Sequence, residues 1–279
     1  MTAVLLALSA SLAWGFADFG AGSATRRLPV FVVAAISQTA GLVVVGAVVL
    51  ATAHGTPSRR QFAWAAFAGV VGVVGLSLFY RALAMGTMGI VGPITATAAI
   101  VPVAYGLGRG ERPSTLQGIG VGLAVVGVVA ASLEPAPEGR GRQIGTGVGF
   151  ALSAAFAFGW ALVGLSRAAP GGIAWATLTM RLAAVPIAVL LALTLQRQGP
   201  VARRGWLLLT GVGIADAGAT LLYAEASTRG LLSIVAVLSS LYPIVIVVLA
   251  RALLAERIAR PQLAGVAVAL AGVALISAG

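Results

Sequence analysis

Two charges stand inside apolar stretches, where charge is costly: Arg181 in "TLTMRLAAVP" and Asp216 in "GVGIADAGAT". A guanidinium in such a place can hold a carboxylate, and a carboxylate can hold a proton or an amine. The two can also hold each other, as an ion pair that locks two segments together. Asp18 follows Trp14 by four residues, which puts both on one face of a helix. It reads either as an interfacial charge or as a gate or proton-linked acid at the mouth of a cavity. Tyr80 and Tyr223 carry amphipathic rings, suited to a membrane belt or to stacking on a ligand. Ser239 stands four residues before Pro243, and a proline leaves the carbonyl at that distance without its helical donor. A hydroxyl there can re-satisfy the backbone or face a ligand. The candidate binding residues are thus Trp14, Asp18, Tyr80, Arg181, Asp216, Tyr223 and Ser239.

Other chemistries have no residues to run on. There is no cysteine, hence no disulfide, thiolate ligand or thiol nucleophile. The single histidine, His54, sits beside Gly55 in a polar gap, and one imidazole cannot build a metal site. Gly118, Gly120, Gly122 and Gly127 lie within an apolar run with no strand before them. They read as helix contacts, with Gly118 and Gly122 as a small-residue pair, and not as a phosphate-binding loop. No cofactor is expected, and direct drive by ATP is not.

The elements that must position these residues follow from composition. The chain has 279 residues, 59% of them hydrophobic and only 9% charged, against roughly 25% charged in an average soluble domain. So few charges cannot cover a soluble surface, and the expected solvent is lipid. All 18 basic residues are arginine, and the net charge is +11. They are scattered between apolar runs, which fits loops facing anionic headgroups and not a nucleic-acid patch. A crossing helix needs about 20 apolar residues. Ten such segments are expected, near 2–21, 30–53, 62–85, 88–108, 114–133, 143–166, 172–195, 205–228, 231–253 and 261–278. The first has no basic leader segment and is read as a permanent span.

The chain repeats itself. "ERPSTLQGIGVGLAVVG" from Glu111 and "ERIARPQLAGVAVALAG" from Glu256 agree at seven of 17 positions. "ALSASLAWG" at 7–15 returns as "ALSAAFAFG" at 151–159, pairing Trp14 with Phe158. "GLSLFYRALAMG" from Gly75 echoes the segment from Gly218 and pairs Tyr80 with Tyr223. These matches divide the chain into five-helix halves, 1–138 and 139–279. Five is odd, so the second half starts on the opposite side and is inverted. An inverted pair with a site between its halves suits alternating access. Glu111 and Glu256 stand at loop-to-helix junctions, where an acid favours the helix N-terminus, and are read as structural.

The stretch "AVLSSLYPIVIVVLARALLAERIARPQLAGVAVALAGVALI" at 236–276 resembles the closing helix pair of EamA-type proteins of the drug/metabolite transporter superfamily. "GRGERPSTLQGIGVGLAVVG" at 108–127 is similar to the matching part of that family's first half, and "SLAWGFADF" at 11–19 to its first helix. The resemblance implies a multi-pass inner-membrane carrier of small metabolites, amino acid-like or drug-like, usually exporting them. The expected partners are a small-molecule substrate and the lipid bilayer, with coupling to protons or another ion, no nucleic acid, and a monomer or homodimer. The classes weighed against it are a small-molecule channel, a membrane sensor and an intramembrane enzyme. The enzyme fares worst, for want of a nucleophile–base pair or metal ligands within the spans. Counting arginines outside the spans places the termini outside, whereas the resemblance implies cytoplasmic termini.

Overall fold

The computed structural model describes residues 1–52, 56–85, 94–131, 144–195, 201–254 and 260–279, without the side chains of residues 80, 83–85, 144–146, 247, 250–251 and 254. His54, Glu256, the junction of the halves at 138/139 and the side chain of Tyr80 lie outside what is described. The described residues form α1 (Thr2–Thr25), α2 (Val30–Thr52), α3 (Arg59–Met85), α4 (Ile100–Gly108), α5 (Thr115–Ala131) and α6 (Ile144–Ala168). They continue as α7 (Ile173–Leu195), α8 (Arg203–Arg229), α9 (Leu232–Ser239), α10 (Tyr242–Leu254) and α11 (Arg260–Ala278).

Local sequence explains where several of these begin and break. At the head of α3 the Ser58 amide donates to Gln61, whose own amide donates to the Ser58 hydroxyl. The same reciprocal pair joins Ser114 and Gln117 at the head of α5, so each satisfies donors that a helix start leaves open. Where one span is expected over 231–253, the chain breaks between α9 and α10. Pro243 cannot donate to the carbonyl of Ser239, and the Ser240 amide turns back onto Ala236 and Val237. In the first half a 3₁₀ turn, Thr97–Ala99, interrupts the corresponding segment just before α4.

These interruptions bear on the expected ten spans. Among the described residues, seven helices are long and apolar enough to cross a membrane. Three shorter apolar helices, Ile94–Gly108, Thr115–Ala131 and Leu232–Ile246, stand where other spans are expected.

The packing is reciprocal. Helix α1 lies along α8, and α3 along α6; α2 lies on α7 and α8, and α3 on α7. Close approach depends on small residues. A Cβ on Gly213 would sit 2.1 Å from the Ser37 carbonyl oxygen, and one on Gly69 would sit 2.1 Å from that of Met180. Gly69 and Gly213, like Ser37 and Met180, occupy matching places in the two halves. A second seam joins α5 to α11. Gly120 meets Gly272 while Gly127 meets Ala269 and Gly265, so these two helices run antiparallel. A Cβ on Gly118 or Gly122, the expected small-residue pair, would meet nothing within 4 Å. The contact face is Gly120, Ala124 and Gly127 instead, because the two faces are out of phase around the helix.

Candidate functional site

Four helices, two from each half of the chain, converge on one polar cluster. Arg181 is the ninth residue of α7, and Gln38 the ninth of α2. They are matching positions in helices of equal length, and the Arg181 Nη1 donates to the Gln38 Oε1 at 2.8 Å. Helix α8 supplies Asp216, whose Oδ2 accepts from Arg181 Nη2 at 2.9 Å and from Gln38 Nε2 at 3.1 Å. Helix α1 supplies Trp14, whose indole Nε1 donates to Asp216 Oδ1 at 3.1 Å. Thr220 sits one turn along α8, with its hydroxyl donating to the Asp216 carbonyl at 2.7 Å and 3.5 Å from Arg181 Nη2.

This arrangement answers the cost of placing charge in apolar surroundings. Arg181 is only 3% exposed, and Asp216 is 23% exposed. A buried charge is tolerated when it is paired and its remaining groups are hydrogen-bonded. Asp216 accepts three donors, and the pair is anchored on both halves. Gly41 makes the room: a Cβ there would lie 2.6 Å from Arg181 Nη1 and 2.9 Å from the Gly213 carbonyl oxygen. Arg181 Nε is buried and has no partner among the described residues.

The other candidates divide. Asp18 is exposed and lies within electrostatic reach of Asp216 and of Tyr242. Tyr223 is fully buried. Its hydroxyl donates to the Leu162 carbonyl at 3.2 Å, and its ring lies 5.8 Å from that of Trp14. Ser239 is also fully buried, and its hydroxyl donates to the Ala7 carbonyl at 3.4 Å. Neither residue offers accessible surface to a ligand here; Ser239 ties α9 to α1, and Tyr223 ties α8 to α6. Tyr80 is placed on α3 by its backbone alone. Gln38 belongs to the cluster although it is not among the candidates read from the sequence. The signal was present: "ISQTAG" puts an amide in the middle of an apolar helix, where it needs a partner. Gly41 carries no such signal, since a glycine among apolar residues reads as packing.

Glu111 has a role of a different kind. Its Oε1 and Oε2 accept the backbone amides of Leu232 and Ser233 at 2.7 and 3.0 Å. The carboxylate thereby caps the start of α9 across the boundary between the halves, where helix amides are open and the dipole favours an anion. This agrees with its reading as a structural residue.

Residues 1–133 and again 145–278 match the sequence pattern of the EamA-like transporter family. The chain belongs to the EamA-like transporter family. It does so with two repeats, and the family is one of membrane transporters of small molecules, not of enzymes. One solved crystal structure, described only as that of a protein, shares the fold with a TM-score of 0.84. It is 21% identical, over 98% of this chain and 95% of the other. No curated protein matches the sequence. The EamA match and the seven long apolar helices make this a multi-pass membrane protein of transport function.

Proposed function

We propose that the chain is a secondary transporter that moves a small metabolite, amino acid-like or drug-like, by alternating access across a cell inner membrane. Ten crossings in two inverted five-helix halves, 1–138 and 139–279, form the frame of this reading. The antiparallel seam of α5 and α11 supports the inversion, because equivalent helices of an inverted pair must cross in opposite directions. Export as the direction of transport rests on the family.

The observation that carries the reading is the Trp14–Gln38–Arg181–Asp216 cluster. Each half contributes two of its helices, so any movement of one half against the other must rearrange the cluster. Polar residues held at such a junction are what a carrier uses to sense its substrate and change state. Trp14, Asp18, Gln38, Arg181 and Asp216 line or brace the binding chamber in this reading, and the coupling is to protons or another ion. The test is transport by the purified chain in proteoliposomes, over a panel of amino acids, amines and hydrophobic drugs, with and without an imposed proton gradient. Saturable movement of at least one compound, lost in Arg181→Ala that still folds, is the expected result. A protein that moves nothing on the panel in either gradient, or whose Arg181→Ala variant transports normally, overturns the proposal.

A further inference from the structure

A groove of about 760 Å³ lies between α3 and α6 and touches no residue of the polar cluster. Gly75 meets Phe158 and Gly164 meets Ala68, so the two helices run antiparallel. One wall is α3 from Phe67 to Leu78, and the other is α6 from Trp160 back to Leu152. Phe67, Val74, Leu152 and Phe156 line it with exposed side chains. The hydroxyl of Ser153, also in the lining, donates to the Gly149 carbonyl of its own helix at 2.9 Å. The two ends differ. At one end the Trp160 ring stands 6.3 Å from that of Phe67 and 6.2 Å from that of Phe156. At the other, Arg81 follows Leu78 by three residues and Phe150 precedes Ser153 by three, so each continues its wall along the same helical face. The Arg81 guanidinium lies 5.4 Å from the centre of the Phe150 ring.

Depth and charge narrow what can fill this groove. From Phe67 to Leu78 the wall covers about 16 Å of helix, close to one leaflet, or about half of a hydrocarbon core of roughly 30 Å. Arg59, at the head of α3, and Arg81 are about 33 Å apart along the axis. With Arg59 at one headgroup layer, Arg81 therefore reaches the other. Neither α3 nor α6 holds an acidic residue. Arg81 is exposed, and among the described residues its N–H groups have no hydrogen-bond or ion-pair partner. A ring attracts a guanidinium but takes up none of its N–H fork, which matches a phosphate.

We propose that the groove is a lipid site, holding an acyl chain of an anionic phospholipid from the surrounding leaflet with the lipid phosphate on Arg81. The competing occupant is a second copy of the chain. A two-fold axis along the membrane normal would bring the Arg81 side chains of both copies to one depth, and like charges oppose that arrangement. An anionic lipid pairs the charge instead. Helix α3 belongs to the first EamA repeat and α6 to the second, so the lipid touches both repeats and steadies the arrangement in which they adjoin. The proposal does not depend on which substrate the chain carries.

The test uses the purified full chain in detergent with near-equimolar phosphatidylglycerol or phosphatidylcholine, each carrying a diazirine on its acyl chain. After illumination, peptide mass spectrometry should place the phosphatidylglycerol label on residues 67–78 and 152–160 of the unaltered chain, so the result does not depend on how variants fold. Phosphatidylcholine should label the same stretches about fivefold less, which is what one arginine contributes near an anionic surface. Arg81→Gln should abolish that preference, and Arg59→Gln should keep it. Val74→Trp fills the groove and should remove labelling by both lipids. Label spread evenly over α2 and α7 as well, equal labelling by the two lipids, or a preference that survives Arg81→Gln overturns the proposal. Copies of a Val74→Cys chain that cross-link to each other at this face, with no lipid label there, overturn it in favour of a dimer.

Discussion

The wall made by α1 and α8 carries Trp14, Asp18, Asp216 and Thr220; its counterpart, made by α6 and α3, carries Phe158, Leu162, Gly72 and Leu76 at the matching places. The backbone contacts are alike, since each first helix of a half lies along the third helix of the other. The side chains are not. In the second wall Phe158 packs on Phe79 at 6.3 Å, and Trp160 lies 6.3 Å from Phe67. On the same wall Arg81 sits over the Phe150 ring at 5.4 Å. Duplication supplied a frame with two equivalent walls, and divergence made one polar and the other apolar and aromatic. Small-residue crossings such as those of Gly69 and Gly213 survive in both halves because backbone proximity tolerates no side chain. Residues facing the interior are free to differ wherever their partners differ with them.

The sharpest break in this comparison is at the matched pair on α2 and α7. Arg181→Ala strands Asp216 in a low-dielectric site and should destabilise by about 3–5 kcal/mol, read by denaturant unfolding in detergent. Gln38→Ala removes a neutral partner at the equivalent position and should lose only about 1 kcal/mol. Equal losses would mean that the two matched positions do the same work.

The seam of α5 and α11 offers the next test. Gly127→Leu puts a side chain where a Cβ alone would approach the Ala269 amide nitrogen at 2.3 Å. Overpacking of this kind is expected to lose about 1–3 kcal/mol. Gly118→Leu and Gly122→Leu, on the open face, should change stability by less than about 0.5 kcal/mol. A thermal-shift series over the four glycines of α5 reads the contrast directly, and indifference at Gly127 would refute the seam.

Glu111→Gln tests the cap across the halves. It keeps the shape and weakens two charge-assisted bonds, with an expected loss of about 1.5–3 kcal/mol. Transport per folded molecule should persist; transport lost at normal stability would make Glu111 part of the transport cycle. A modest effect belongs to Trp14→Phe, which gives the first wall the ring found in the second. Loss of the indole bond to Asp216 should lower stability by about 0.5–1.5 kcal/mol, while ring packing on Tyr223 is kept. A melting temperature unchanged within error would show that the bond does not hold α1 to α8.

Composition alone settles the solvent, and repeated residues settle the duplication, because both are carried by the order of residues and need no partner. Arg181 and Asp216 stand out for the same reason: a charge in an apolar run is visible wherever its partner lies. Which residues meet is another matter. In a soluble helix the boundary between polar and apolar faces shows which side turns inward. Here lipid and protein interior are both apolar, so helices such as α2 and α7 are apolar around nearly the whole circumference and their rotation is not written in their pattern. Only packing decides that Gly120 faces α11 while Gly118 does not, that Tyr223 and Ser239 are spent on backbone carbonyls, and that Gln38 joins Arg181. Asp18 owes its exposure to the same rotation.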